Sequence, residues 1–229
     1  MTASGSVSAL DRSRDFVLAS LVLDYPTEEL VLTLAELRSY LERYEGLWAL
    51  ADAVRTDGLQ SLQLAYGALF DTGGGSVSLY ETEHGHMRGA AKGKELADIA
   101  GFYRAFFLAL DDGVGEMLDH LAVELEFYAH LLIKEHLLAE ALDTEGCAVV
   151  QQARRRFLED HLGRFVRAIA SRPAVESNPL YGPALAWCAR MIEAECLATG
   201  AEPPPLDFFP DRGDAEDGSC GAVRLPVLH

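Results

Sequence analysis

The 229-residue chain carries 36 acidic and 19 basic side chains, a formal charge of −17, and 49% of its residues are hydrophobic. That apolar content is enough for one sizeable buried core, whereas the charge argues against a surface that tracks phosphates, which needs clustered Lys and Arg. The nearest basic cluster is Arg154-Arg155-Arg156, so nucleic acid is not an expected partner and a basic peptide is.

Residues 1–10 lack both the basic and the apolar stretch of a secretory leader and are expected to be flexible. A first helix is expected over Phe16–Leu23, stopping before Tyr25-Pro26 because the residue before proline resists the α conformation. Thr27 then caps a second helix, with Leu30, Leu34, Leu37 and Leu41 on one face. A third covers roughly Leu47–Val54. A fourth spans Leu59–Phe70, with Leu62, Ala65, Tyr66, Leu69 and Phe70 turned inward. Asp71-Thr-Gly-Gly-Gly-Ser breaks the pattern and opens the longest irregular stretch of the body, which runs to Gly93.

Helical spacing resumes at Lys94–Leu110, where Leu96, Ile99, Ala100, Tyr103, Phe107 and Leu110 share a face. Next comes a long helix opened by Asp119-His120 and reaching about Leu142, its stripe formed by Leu118, Leu121, Ala122, Leu125, Tyr128, Ala129 and Leu132. Two more are expected, about Glu145–Ala170 (Val149, Ala153, Phe157, Leu162, Phe165 and Ile169 inward) and about Pro179–Leu197. From Gly200 onward, Pro-Pro-Pro and Asp-Arg-Gly-Asp make a tail that cannot bury a core. The expectation is an all-α, single-domain bundle of seven to nine helices over residues 11–199, with an irregular tail over 200–229. No apolar run approaches the ~18 residues that would span a membrane, and the four cysteines form no Cys-x-x-Cys pair, which fits a cytoplasmic protein.

Few residues point to chemistry. Glu81-x-x-His84 has the ligand spacing of helical di-metal centres, but such a centre repeats the motif on a second helix, and no predicted helix here contains one. A solvated loop is the commoner reading, with a metal-binding protein using Glu81 and His84 as an alternative. There is no Gly-x-Ser-x-Gly elbow, and Gly73-Gly74-Gly75 follows a helix without the Lys-Ser/Thr of a phosphate cradle. Asp119-His120 stands out: packing accounts for the stripe behind it and not for an acid beside an imidazole at the helix start. The plain alternative is a helix cap, in which case the chain is a generic helical adaptor. A histidine beside a carboxylate titrates near neutrality, so its protonation is expected to modulate ligand release.

Four blocks, in order, resemble the TorD/DmsD/NarJ family of cytoplasmic molybdoenzyme maturation chaperones. They are Tyr66-x-x-Leu69-Phe70; Tyr80-Glu81-Thr82; Glu95-Leu-Ala-Asp-Ile-Ala-Gly-Phe-Tyr-Arg104; and Glu116-x-x-Asp119-His120-Leu-x-x-Glu124-Leu-x-Phe127. His161-Leu162 with Phe165 is a weaker echo, and Met117 stands where the family usually has Pro. The second and third blocks look most like chaperones serving dimethylsulfide dehydrogenase, ethylbenzene dehydrogenase and selenate reductase type enzymes. The resemblance implies a non-enzymatic chaperone that binds the apo catalytic subunit of a molybdopterin oxidoreductase, or its twin-arginine leader, until cofactor insertion. It implies no stoichiometric cofactor or metal, only transient contact with molybdopterin or guanine nucleotide, and a monomer or helix-exchanged dimer. The client-binding residues it implies are Tyr66, Leu69, Phe70, Tyr80, Glu81, Tyr103, Asp119, His120 and Glu124. Acids among them would meet arginines and aromatics would border an apolar groove, although ordinary core burial is the commoner fate of Leu69, Phe70, Phe102 and Tyr103.

Overall fold

The computed structural model describes residues 8–37, 44–70, 76–84, 90–108 and 117–206. Leu41, the Gly73–Gly75 break, His86, Leu110, Glu116 and the tail from 207 lie outside the described residues. Those described are helical apart from short connections, and the backbone pairing among them outside helices is one isolated antiparallel bridge, Tyr80 to His120. The all-α expectation holds.

Helix α1 (Ala9–Leu23) begins earlier than its apolar run because the Ser8 hydroxyl accepts the Asp11 N–H and caps it. It stops at Asp24, before Pro26. Helices α2 (Glu28–Leu37), α3 (Trp48–Asp57) and α4 (Leu59–Phe70) follow, the break between the last two being Gly58 at φ 77°. Helix α5 (Ala90–Ala105) is displaced toward the N-terminus relative to the expected Lys94–Leu110. Its end is a left-handed Phe107 (φ 64°), where the Leu108 N–H bonds the Tyr103 carbonyl. Phe107, expected inward, is consequently 91% exposed.

Helix α6 (Leu121–Glu140) is the central rod, packing most extensively against α1, with the Phe16 and Tyr128 rings 4.6 Å apart. Its stripe is buried as the spacing required, Leu118 only in part. Phe127 joins α6 to α5 and α7 (Thr144–Phe157) through ring contacts with Tyr103 at 4.7 Å and Phe157 at 4.8 Å. The single helix expected over 145–170 is α7, one π turn (Leu158–Leu162) and α8 (Gly163–Ala170) in continuous succession. Within α7 itself, position 150 lies about 20° from Phe157 around the helix and position 149 about 80°, so Val150 is buried while Val149, expected inward, is 58% exposed. A single turn, α9 (Pro173–Glu176), leads into α10 (Tyr181–Thr199).

The body also extends past Gly200. Ala201, Pro203 and Leu206 are buried, and Arg167 donates to the Pro203 carbonyl at 3.3 Å. Gly163 makes this possible: a Cβ there would lie 2.4 Å from the Leu158 carbonyl oxygen and 2.7 Å from Pro203 Cγ. Backbone must therefore move to admit even a methyl group. Gly163→Ala is expected to destabilise the protein by about 1–3 kcal/mol, as overpacking does, read as a lowered urea midpoint at unchanged slope.

Candidate functional site

Glycine-poor, apolar Val77-Ser-Leu-Tyr80 runs extended along the start of α6. The Leu121 N–H bonds the Leu79 carbonyl at 2.8 Å and the Glu81 N–H bonds the Asp119 carbonyl at 2.9 Å. Val77 and Leu79 are buried beneath it. A one-turn 3-10 helix (Glu81–Glu83) then drops Glu81 and Thr82 into the interior.

Asp119 and His120 are sequence neighbours whose side chains serve different purposes. Asp119 Oδ2 accepts the Thr82 hydroxyl at 2.5 Å and the Thr82 N–H at 3.1 Å, fastening the extended segment to α6. His120 is the N-cap of α6: its Nδ1 accepts the Ala122 N–H at 3.3 Å, and its ring meets Tyr80 edge-on at 5.0 Å. That cap requires an unprotonated Nδ1. Asp119 is 0% and His120 2% exposed. Capping, the plain alternative, thus accounts for His120, while Asp119 ties two segments together. Thr82→Val removes the hydroxyl and leaves Asp119 less satisfied in a dry site; a loss of about 1–3 kcal/mol is expected in chemical denaturation.

The acid–imidazole pair of this region is Glu81 with His161. His161 lies in the π turn, its Nδ1 2.9 Å from Glu81 Oε2 and its Nε2 3.1 Å from Asp98 Oδ2 on α5. Both ring nitrogens face carboxylates, so both donate and the ring is an imidazolium. Burial opposes that charge, but the hydrogen bonds and negative fields of Glu81 and then Asp98 outweigh it, and the pKa is raised. Arg164, one turn further on, brings a second cation: its Nε is 3.5 Å from Glu81 Oε1 and its Nη2 is 3.5 Å from Glu95 Oε1.

Glu124 lies fully buried next to this group, and neither of its carboxyl oxygens has a hydrogen-bond partner. Burial first, then the charges of Glu81 and Asp119, push its pKa well above the usual carboxylate range. Glu81 Oε1 and Asp119 Oδ1 are likewise without hydrogen bonds. Glu81 is flanked by His161 and Arg164, which reach outward to Asp98 and Glu95 at the rim. Tyr103 closes the floor and donates to the Leu118 carbonyl at 2.9 Å.

Of the residues singled out from sequence, the fold brings Tyr80, Glu81, Tyr103, Asp119, His120 and Glu124 together around the start of α6. Tyr66, Leu69 and Phe70 form a separate buried aromatic knot, with Tyr66 5.1 Å from Phe70 and 5.8 Å from Tyr181. Partly exposed Tyr25 covers that knot at 5.7 Å from Tyr66. Glu81 and His84 do not converge: Glu81 faces His161, while His84 Nε2 is 2.9 Å from the Ser78 carbonyl. Among the described residues no group of three or more His, Cys, Asp or Glu is arranged to hold a metal ion. Sequence reasoning missed Arg164 and Asp98 as members of the cluster. The available signal was Phe157, His161 and Phe165, spaced four apart, which places a titratable ring within an apolar stripe.

A family model described as nitrate reductase delta subunit matches residues 27–171, which include the whole cluster. The chain is 31% identical over 185 residues to the selenate reductase assembly chaperone protein of Thauera selenatis, covering 76% of this chain and 90% of that one. It is 33% identical over 150 residues to the chlorate reductase assembly chaperone protein of Ideonella dechloratans, covering 64% and 74%. A shorter match, 36% over 87 residues, links it to the perchlorate reductase assembly chaperone protein of Dechloromonas aromatica, covering 38% and 37%. With the match running from α2 to just beyond α8 and including every member of the ion cluster, this chain belongs to the nitrate reductase delta subunit family, the NarJ/TorD group.

Proposed function

We propose that the protein is a system-specific, non-catalytic chaperone that holds the apo catalytic subunit of a molybdopterin-containing reductase for cofactor insertion. The observation that carries this reading is the similarity along most of the chain to assembly chaperones named for selenate and chlorate reductases. A cytoplasmic site of action fits it, and among the described residues no helix is long and apolar enough to cross a membrane.

The finer part of the proposal concerns the ion cluster. Glu81, Asp119 and Glu124 are each at most 1% exposed, so none meets a client while residues 76–84 lie against α6. Three features support a latch: Glu81 held by His161, Asp119 held by Thr82, and carboxyl oxygens left without donors. Release of that segment exposes acids already organised to receive the guanidinium groups of a leader or of the mature subunit.

Affinity capture from the native host, with mass spectrometry of co-purifying chains, tests the reading. A molybdopterin oxidoreductase catalytic subunit is expected with the wild type and is expected to be depleted with Asp119→Asn/His120→Gln, provided that variant remains folded by circular dichroism. Capture of no such subunit, under growth where one is expressed, overturns the proposal.

A further inference from the structure

Helix α7 carries two faces. Val150, Arg154 and Phe157 are turned into the core. Glu145, Val149, Gln152, Ala153 and Arg156, spaced at helical intervals, line a groove of about 610 Å³ whose other wall includes Phe107 and Leu138. Lys134 lies over the Phe106 and Phe107 rings there, 5.5 Å from each centroid. Among the described residues, the sole non-glycine residues in the left-handed region are Phe107 (φ 64°) and Leu142 (φ 58°). Phe107 lines the groove, and Leu142 joins α6 to α7 beside the lining residue Asp143. They are also the most exposed large apolar side chains described, at 91% and 85%. Glycine is the usual residue at such helix ends. A bulky apolar residue strained outward into water serves an interface and not a monomer.

Charge identifies the occupant. Glu145 stands in the first turn of α7 and Arg156 near its end, about 16 Å further along the axis. Neighbouring Arg155 pairs with Glu159 at 3.0 Å, whereas neither Glu145 nor Arg156 has an ion-pair partner among the described residues. A stripe with acid at one end, base at the other and uncharged residues between is complementary to its own antiparallel copy. Laid about a two-fold axis that passes between positions 150 and 151, Glu145 meets Arg156 of the second copy and Val149 meets its Gln152, each pair occurring twice. We propose that the chain forms an isologous dimer through this α7 stripe, a second copy filling the groove and covering Phe107 and Leu142. The dimer needs no exchange of helices and is independent of the client reading.

Sedimentation velocity on the full chain tests this at about 0.15 M salt, where the −17 charge of each copy is screened beyond about 8 Å. Between about 1 and 200 µM the wild type is expected to pass from monomer to dimer, twice the 24.9 kDa of one chain. Val149→Asp is expected to weaken association at least about tenfold, and so are Glu145→Arg and Arg156→Glu alone, since each reversal sets like charges together at both ends. All three residues are exposed, so the variants keep the fold. The combined Glu145→Arg/Arg156→Glu variant is expected to return to within about threefold of wild type, because in self-pairing both sides of each contact reverse together. A wild type that stays monomeric throughout the range overturns the proposal. So does a dimer that ignores the single reversals, which would lie on another surface or arise by helix exchange, and so does failure of the combined variant to recover.

Discussion

Arg154→Ala is expected to destabilise the protein by about 3–5 kcal/mol, the cost of removing one partner from a buried ion pair. Arg154 is 3% exposed and lies among Glu135 and Tyr128 of α6 and Glu195 of α10. Its guanidinium bonds Glu135 through one nitrogen and Glu195 through another, while Glu195 also accepts the Tyr128 hydroxyl at 2.9 Å and meets Arg12 of α1 at 3.2 Å. Four helices therefore meet in one network, with Arg154 bonded to α6 and α10 and Arg12 of α1 joined through Glu195. Burial works against that charge, but the surrounding Tyr128, Glu195 and Glu135 more than compensate and raise its pKa. Without it, Glu195 is left buried with the Tyr128 hydroxyl and Arg12 opposite. A fall in melting temperature of about 10 °C is expected by calorimetry, and Arg154→Met/Glu195→Gln is expected to recover part of it by removing the orphaned charge. A single variant within about 1 kcal/mol of wild type would show that the network is not structurally coupled. The basic run 154–156, read from sequence as one cluster, is thereby divided: Arg154 faces inward and its two neighbours face solvent.

His161→Gln is the second large effect, about 2–3 kcal/mol at pH 6, because it withdraws a charged donor from both Glu81 and Asp98. Its sign with pH is determined by linkage. The folded pKa of His161 is raised above the ordinary value of about 6.5. The stabilisation is therefore fully present below about pH 6.5 and is lost as pH rises through the folded value. The gap between wild type and His161→Gln should narrow with rising pH. Every other group facing His161, namely Glu81, Asp98, Glu95, Asp119, Glu124 and Arg164, is present in both proteins. His84 and His130, whose pKa values burial lowers, stabilise in the opposite pH sense and cancel in the difference. Urea unfolding from pH 5.5 to 8.5 measures the gap; one that widens with pH would mean that His161 is neutral in the folded state. If the latch governs client access, client capture should strengthen as this stabilisation is lost.

Much of the architecture was legible from apolar spacing. The α6 stripe from Leu121 to Leu132, the C-terminal end of α1, both ends of α4 and the break before Pro26 all follow from local rules, because helix geometry places every third or fourth residue on one face whatever lies opposite. The π turn was not legible: an added residue costs nothing in composition, and the partner that fills the space over Gly163 is Pro203, forty residues away. The same limit governed the site. Sequence reasoning paired Asp119 with His120 because they are adjacent, yet their side chains leave the backbone in different directions at a helix start. The acid that meets an imidazole is Glu81, eighty residues before His161.

By itself the sequence determined the fold class and the family, since each depends on local pattern or on motif order. The tertiary structure alone decided which acid pairs with which base, that Asp119 and Glu124 are buried rather than displayed, and that Tyr66, Leu69 and Phe70 form a knot apart from the ion cluster. Those outcomes depend on desolvation and on charges brought within about 3 Å by the packing of α5, α6 and the π turn.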